Sequence, residues 1–337
     1  MDKAVGIAVI GAGRMGGHHA AACAASPDVK LVAVVDVEAA RADAAAEKCG
    51  APADTSIEPY LSQIQAAIVA VPTSAHVEVA RPLLERGIGC LVEKPLALTT
   101  RETAALVAAA QTGRAVLQVG HVERFNPAFL ALGRHDLKPR FIETERLSPC
   151  RFRSMDVGVV MDMMIHDIDL VLSLVRSEVV SIDAVGVSVI AATEDMANVR
   201  LRFASGCVAD LTASRAALKV ERRIRIFSDS GYVAVDFGAK RGVLIRPSGR
   251  LAKLHQSVLE SGRFDESLVA GAKFEELLDV RQMEIDDRDA LGQQLAAFVK
   301  AVRKEGPVVV TGEDGHRAVE LAQQIVEAID RQQRQWK

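Results

Sequence analysis

Residues 7–19 read IAVIGAGRMGGHH (Ile7 to His19), an apolar run that breaks into spaced glycines and then into helical spacing. Gly11, Gly13 and Gly16 stand in the pattern G-x-G-x-x-G, with a strand-like run before them and a helix after them. In that setting the first glycine permits a tight turn and the second lets a pyrophosphate approach the backbone. The third lets the helix lie close on the strand. The main-chain N–H groups of Gly13, Arg14, Met15 and Gly16 then sit at a helix start, where the dipole favours an anion. Asp36 closes the next apolar run, LVAVVD, 20 residues after Gly16. A carboxylate there accepts hydrogen bonds from ribose hydroxyls and repels a 2′-phosphate, so the spacing predicts NAD rather than NADP.

The pattern extends outward from this turn. Apolar runs LVAVVD, AAIVAVP, IGCLVEKP and AVLQVG alternate with helical stretches starting at about Arg14, Glu38, Ser74 and Thr99. Short runs that are apolar throughout are buried on both faces, as in a parallel sheet wrapped by helices. This predicts a doubly wound α/β domain of the Rossmann type. Ligands of such sheets bind beyond the carboxyl ends of the strands. Thr73, His76, Glu93 and Lys94 fall at those ends and are expected to line the cofactor crevice. Pro95 restricts Lys94 to an extended backbone and makes a cis linkage inexpensive, so the amine has a defined aim. Burial of a lysine lowers its pKa toward the range useful for proton transfer.

The character changes near Gly120. A short helix (Pro127 to Leu132), a strand (Arg140 to Leu147) and a long helix (Val157 to Arg176) lead into six runs with period-2 alternation. Two helices, about Asp287 to Lys304 and Gly312 to Arg334, close the chain. The expectation is an α+β domain on an open, mostly antiparallel sheet, with domains at 1–121 and 122–337. Within the long helix, Asp162 and His166 are four residues apart and so share a face, where a carboxylate fixes the tautomer of an imidazole. The apolar positions Val185, Val187, Val189, Val199, Leu201 and Phe203 are expected to form a sheet face that a second copy covers, giving a homodimer or homotetramer.

Composition excludes several classes. A net charge of −3 and 4% aromatic residues argue against nucleic-acid binding. No apolar run approaches the roughly 18 residues that span a bilayer. The N-terminus reads as a first strand, not a signal peptide. Five scattered cysteines (Cys23, Cys49, Cys90, Cys150, Cys207) without a CxxC pair point to a reducing, cytoplasmic setting. His166 and Asp169 do not complete a metal-ligand set, so no metal is expected.

Gly11 to Gly16, Asp36, Glu93-Lys94-Pro95 and the alternating C-terminal half together resemble the Gfo/Idh/MocA family of nicotinamide-dependent sugar oxidoreductases. The resemblance covers essentially the whole chain, and the EKP tripeptide is its most specific mark. It implies a catalytic or substrate-binding Lys94, a Lys–Pro bond that is often cis, and His166 as acid–base residue beside the lysine, tuned by Asp162. Which of Lys94 and His166 is the base stays open. His121, Arg124 and Asn126, together with Arg151 and Arg153 on the loop that begins at Arg146, are polar groups that suit an anionic ligand, the arginine forks matching phosphate oxygens. These five are the expected substrate-binding residues. GHVERFNPA combined with MIHDIDLVLSLV is similar to the branch acting on UDP-N-acetylglucosamine. That implies oxidation of the sugar C3 hydroxyl, with a PLP aminotransferase acting next toward a 2,3-diamino sugar of lipid A. A dehydrogenase of a free sugar, cyclitol or sugar acid is the alternative, and a non-catalytic NAD-binding regulator is the other.

Overall fold

The structure, a computed structural model, describes residues 4–135, 137–152, 155–263 and 270–335. The chain forms two compact units. One comprises Met1–Phe125 with Arg288–Gln324, the other Asn126–Asp287 with Ile325–Lys337.

The first unit alternates strands and helices in chain order: β1 Val5–Ile10, α1 Arg14–Ala25, β2 Val29–Val35, α2 Ala39–Cys49, β3 Ala53–Asp54, β4 Ala66–Val69, α3 His76–Glu85, β5 Gly89–Glu93, α4 Thr100–Gly113 and β6 Leu117–Gly120. The strands pair in parallel in the order β3-β2-β1-β4-β5-β6. The order reverses between β1 and β4, the switch point where such sheets open a crevice at their carboxyl ends. Alternate residues of β1 serve opposite layers. Ile7 and Val9 join one apolar cluster with Ala20 and Cys23 of α1, and Ala8 and Ile10 join another with Leu83, Leu84 and Leu106.

The second unit carries α5 Pro127–Leu132, β7 Pro139–Leu147, α6 Ile165–Val175, β8 Val179–Val187, β9 Met196–Phe203, β10 Val208–Ser214, β11 Glu221–Ser228, β12 Gly231–Asp236, β13 Arg241–Pro247, α7 Gly249–Ser261, α8 Phe274–Leu277 and β14 Leu278–Gln282. Its eight strands run β14-β13-β12-β11-β7-β10-β9-β8. All pairs are antiparallel except β7 with β10. The chain then adds α9 Ala290–Val302 to the first unit, and α10 Gly312–Gln333 begins in the first unit and ends in the second.

Three expectations need correction. A single boundary after residue 121 does not divide the chain, because 288–324 return to the first unit. Leu295, Phe298 and Val299 of α9 enter the cluster of Ile7, Val9, Ile68 and Leu91. Each such side chain stabilises by about 1.5–3 kcal/mol on burial, which fixes where α9 belongs. The long helix is also not regular. Val160–Met164 is a π-turn in which the Ile165 N–H reaches Val160 O, and α6 starts only after it. Finally, the six apolar sheet positions do not share a face. Val185 pairs with Asn198 and Ala184 with Val199, so Val199, Leu201 and Phe203 lie opposite to Val185 and Val187. The former three are buried in the single chain, without a second copy. The other face is charged instead, with cross-strand pairs Arg225–Glu143 (2.6 Å), Arg223–Glu145 (3.1 Å) and Arg200–Asp210 (2.8 Å).

Candidate active site

The glycine turn has the geometry its spacing predicts. Gly11 adopts φ +94°, a conformation that L side chains rarely adopt, and a Cβ there would meet Ala70 O at 2.6 Å. A Cβ on Gly16 would stand 1.6 Å from Gly11 O, so helix and turn are in direct backbone contact. Gly13 caps α1 without a side-chain hydrogen bond, and the space where its Cβ would be is open for 4 Å. Uncapped N–H groups facing open space suit a pyrophosphate. Arg14 is exposed and Met15 half-buried in this first turn.

Asp36 follows β2 and is buried. Its Oδ2 accepts the Ala12 N–H at 2.7 Å, and Oδ1 accepts the Glu38 N–H at 2.9 Å. The carboxylate is thereby pinned beside the turn, and each oxygen keeps lone-pair capacity for a ribose hydroxyl. These residues fit NAD.

Around Lys94 the backbone is tied on both sides. The Lys94–Pro95 bond is cis. Glu93 ends β5, buried, with Oε1 2.7 Å from His19 Nε2 and Oε2 accepting the Lys94 N–H at 3.2 Å. Burial by itself raises the Glu93 pKa. The hydrogen bond from His19 and the charges of His19 and Lys94 outweigh it and hold the carboxyl below the usual range. Glu93, expected at the cofactor, instead has its carboxylate tied to His19 and to the start of the lysine loop. Lys94 itself is half-buried.

His76 was expected to face the crevice, but it is 1% exposed and its ring nitrogens face main-chain carbonyls of Val71, Pro95 and Leu96. Burial pushes its pKa down, against the opposing effect of those carbonyls and Glu93. Thr73, half-buried, opens the short turn that precedes α3.

His121 is fully buried after β6. Arg124, in the same unit, stands 3.7 Å from Asp314. Asn126 caps α5 by accepting the Ala128 N–H at 3.0 Å, so helix capping occupies its side-chain oxygen. Arg151 is exposed, and Arg153 lies outside the described residues. Arg146, which begins the arginine-rich stretch, is not a ligand-facing group. It is buried and holds Asp167 with two N–H···O bonds of 2.8 and 2.9 Å.

In the second unit Asp162 lies in the π-turn and His166 in the first turn of α6, both partly exposed. Single π-turns inside helices recur at functional sites. A network missed in the sequence holds the start of this helix. Glu194 Oε1 accepts the Val160 N–H at 3.2 Å, and Arg215 donates to Val157 O at 2.8 Å and to Asp195 Oδ1 at 2.7 Å. Asp195 Oδ2 accepts three successive main-chain N–H groups, from Val189, Ile190 and Ala191. Burial would raise the Asp195 pKa, but these donors and Arg215 hold it well below the usual range.

Two family models match the chain. Residues 5–121 match the Gfo/Idh/MocA oxidoreductase family with its NAD-binding Rossmann fold, and residues 101–234 match a C-terminal domain of the same family. A UDP-N-acetylglucosamine 3-dehydrogenase from Acidithiobacillus ferrooxidans is 35% identical over 323 residues, covering 96% of each chain. A solved structure of that enzyme covers 97% of this chain and 98% of its own, with a TM-score of 0.84 and 33% identity. An inositol 2-dehydrogenase from Rhizobium meliloti is 27% identical over 341 residues, covering 95% of this chain and 96% of its own.

Proposed function

The chain belongs to the Gfo/Idh/MocA family of NAD-binding oxidoreductases, and from that premise we propose that it oxidises the C3 hydroxyl of UDP-N-acetylglucosamine to a ketone. The observation that carries this reading is the end-to-end likeness to a UDP-N-acetylglucosamine 3-dehydrogenase, at 35% identity over 96% of both chains.

When bound, the nicotinamide supplies the hydride acceptor. The turn at Gly11, Gly13 and Gly16 and the start of α1 hold the pyrophosphate, and Asp36 holds the ribose. Lys94 or His166 takes the hydroxyl proton, with Asp162 orienting the imidazole. Arg151 and Arg124 are the proposed contacts of the anionic portion of the substrate, and His121, expected among them, is buried away from it. A 3-ketone is a substrate for amine transfer, so a PLP aminotransferase is the proposed next enzyme, toward a 2,3-diamino sugar.

The inositol 2-dehydrogenase that aligns over 95% of this chain favours a second reading, in which the substrate is a cyclitol. Thermal unfolding in the presence of NAD separates the two, because a ligand that binds only the folded state raises the unfolding temperature. Protection by UDP-N-acetylglucosamine and not by myo-inositol supports the first reading. The reverse pattern replaces it with the second.

A further inference from the structure

We infer that His76 is a positioning residue for Lys94, its imidazole fastening the main chain just after the lysine to the carboxyl end of β4. The inference rests on the proton-handling role proposed for Lys94. Nδ1 of His76 lies 3.1 Å from Pro95 O and 3.2 Å from Leu96 O, and Nε2 lies 3.1 Å from Val71 O. All three partners are carbonyl oxygens, so any hydrogen bond made here is one the ring donates. A neutral imidazole has one N–H. The Nδ1–H tautomer serves two acceptors and the Nε2–H tautomer one, so the proton belongs on Nδ1, the side of the lysine loop.

The other side of the lysine is tied as well. His19 of α1 holds Glu93, and Glu93 accepts the Lys94 N–H. Two buried imidazoles, from α1 and α3, therefore flank Lys94, which is half-buried where its neighbours Val92, Glu93, Pro95 and Leu96 are buried. This gives a buried histidine a task that core packing alone does not require. An apolar side chain would fill the same volume but would leave these main-chain carbonyls without the ring as a donor.

The test is a substitution series, His76→Asn, His76→Gln and His76→Ala, beside Lys94→Ala. The amide nitrogen of asparagine stands in for Nδ1, and that of glutamine for Nε2. Acylation of the Lys94 amine is followed by peptide mass spectrometry, with exposed Lys30 as internal reference, and NAD affinity by calorimetry. Asn is expected to keep the Lys94 rate near that of wild type. Gln and Ala are expected to shift it toward the Lys30 rate while NAD affinity holds. Turnover of UDP-N-acetylglucosamine is expected to fall about 10²-fold in Ala, as for a displaced catalytic group, with KM little changed. Equal Lys94 reactivity in wild type, Asn and Gln overturns the inference, and so does equal reactivity in wild type and a folded Ala variant. Undiminished turnover by Lys94→Ala would instead remove the role of the lysine, which the labelling experiment reads separately.

Discussion

Nε2 of His19 stands 2.7 Å from Oε1 of Glu93 in the interior of the first unit, one residue before Lys94. The pair joins the helix that opens at the glycine turn to the strand that delivers the lysine. Removing one member leaves the other buried without its partner, which costs about 3–5 kcal/mol. His19→Ala is therefore expected to unfold at a lower urea midpoint at neutral pH. Glu93 titrates below the usual glutamate range in the folded state, so its contribution is complete above that range and is lost as pH falls through its own lower value. The gap between wild type and His19→Ala should close on acidification. A gap that widens as pH falls contradicts the assignment.

Asp36 is the proposed determinant of cofactor choice. Hydrogen bonds to a charged group contribute about 1.5–3 kcal/mol, which corresponds to about ten- to a hundredfold in affinity. Asp36→Ala should weaken NAD by that order and narrow its advantage over NADP, as calorimetric titration of both will read. Wild-type protein that binds NADP more tightly than NAD contradicts the role of the carboxylate.

The start of the helix bearing Asp162 and His166 is set by Gly158 and Glu194. A Cβ on Gly158 would stand 1.9 Å from Glu194 Oε1, the atom that accepts the Val160 N–H. Gly158→Ala is expected to displace that carboxylate, lowering stability and turnover while leaving NAD affinity unchanged. Combined with Glu194→Ala it should be less harmful than the sum of the two. A double-mutant cycle in urea should give a coupling of about 0.5–3 kcal/mol. Strict additivity of the two substitutions rules out the contact as the cause.

Much of the first unit was legible because parallel strands buried on both faces leave uninterrupted apolar runs, and because Gly11, Gly16 and Pro95 each answer a backbone demand. What stayed hidden depends on partners distant in sequence. The amphipathic pattern of α9 announces a buried face but not which sheet buries it. Alternation in β8 and β9 is likewise clear, yet the loop between them shifts the phase, so Val185 and Val199 face opposite ways. β7 and β10 run parallel because α6, β8 and β9 intervene, and no local signal records that return. Two buried pairs did leave a trace. His19 lies on the same helical stripe as Gly16 and Cys23, and Arg146 falls in step with Ile142 and Thr144 on the covered face of β7. A charged or titratable group on a buried stripe requires a partner, and Glu93 and Asp167 are those partners. The π-turn was invisible because Asp162-x-x-x-His166 satisfies regular helical spacing equally well.

The most direct test is to incubate the protein with NAD and UDP-N-acetylglucosamine, trap the ketone with an aminotransferase and glutamate, and weigh the sugar product by mass spectrometry. Lys94→Ala and His166→Ala are run beside wild type. The account predicts that wild type yields the amine derived from a 3-keto sugar and that neither variant does. An inactive wild type that reduces NAD with myo-inositol contradicts the nucleotide-sugar assignment. Full activity in both variants contradicts the proposed chemistry of Lys94 and His166.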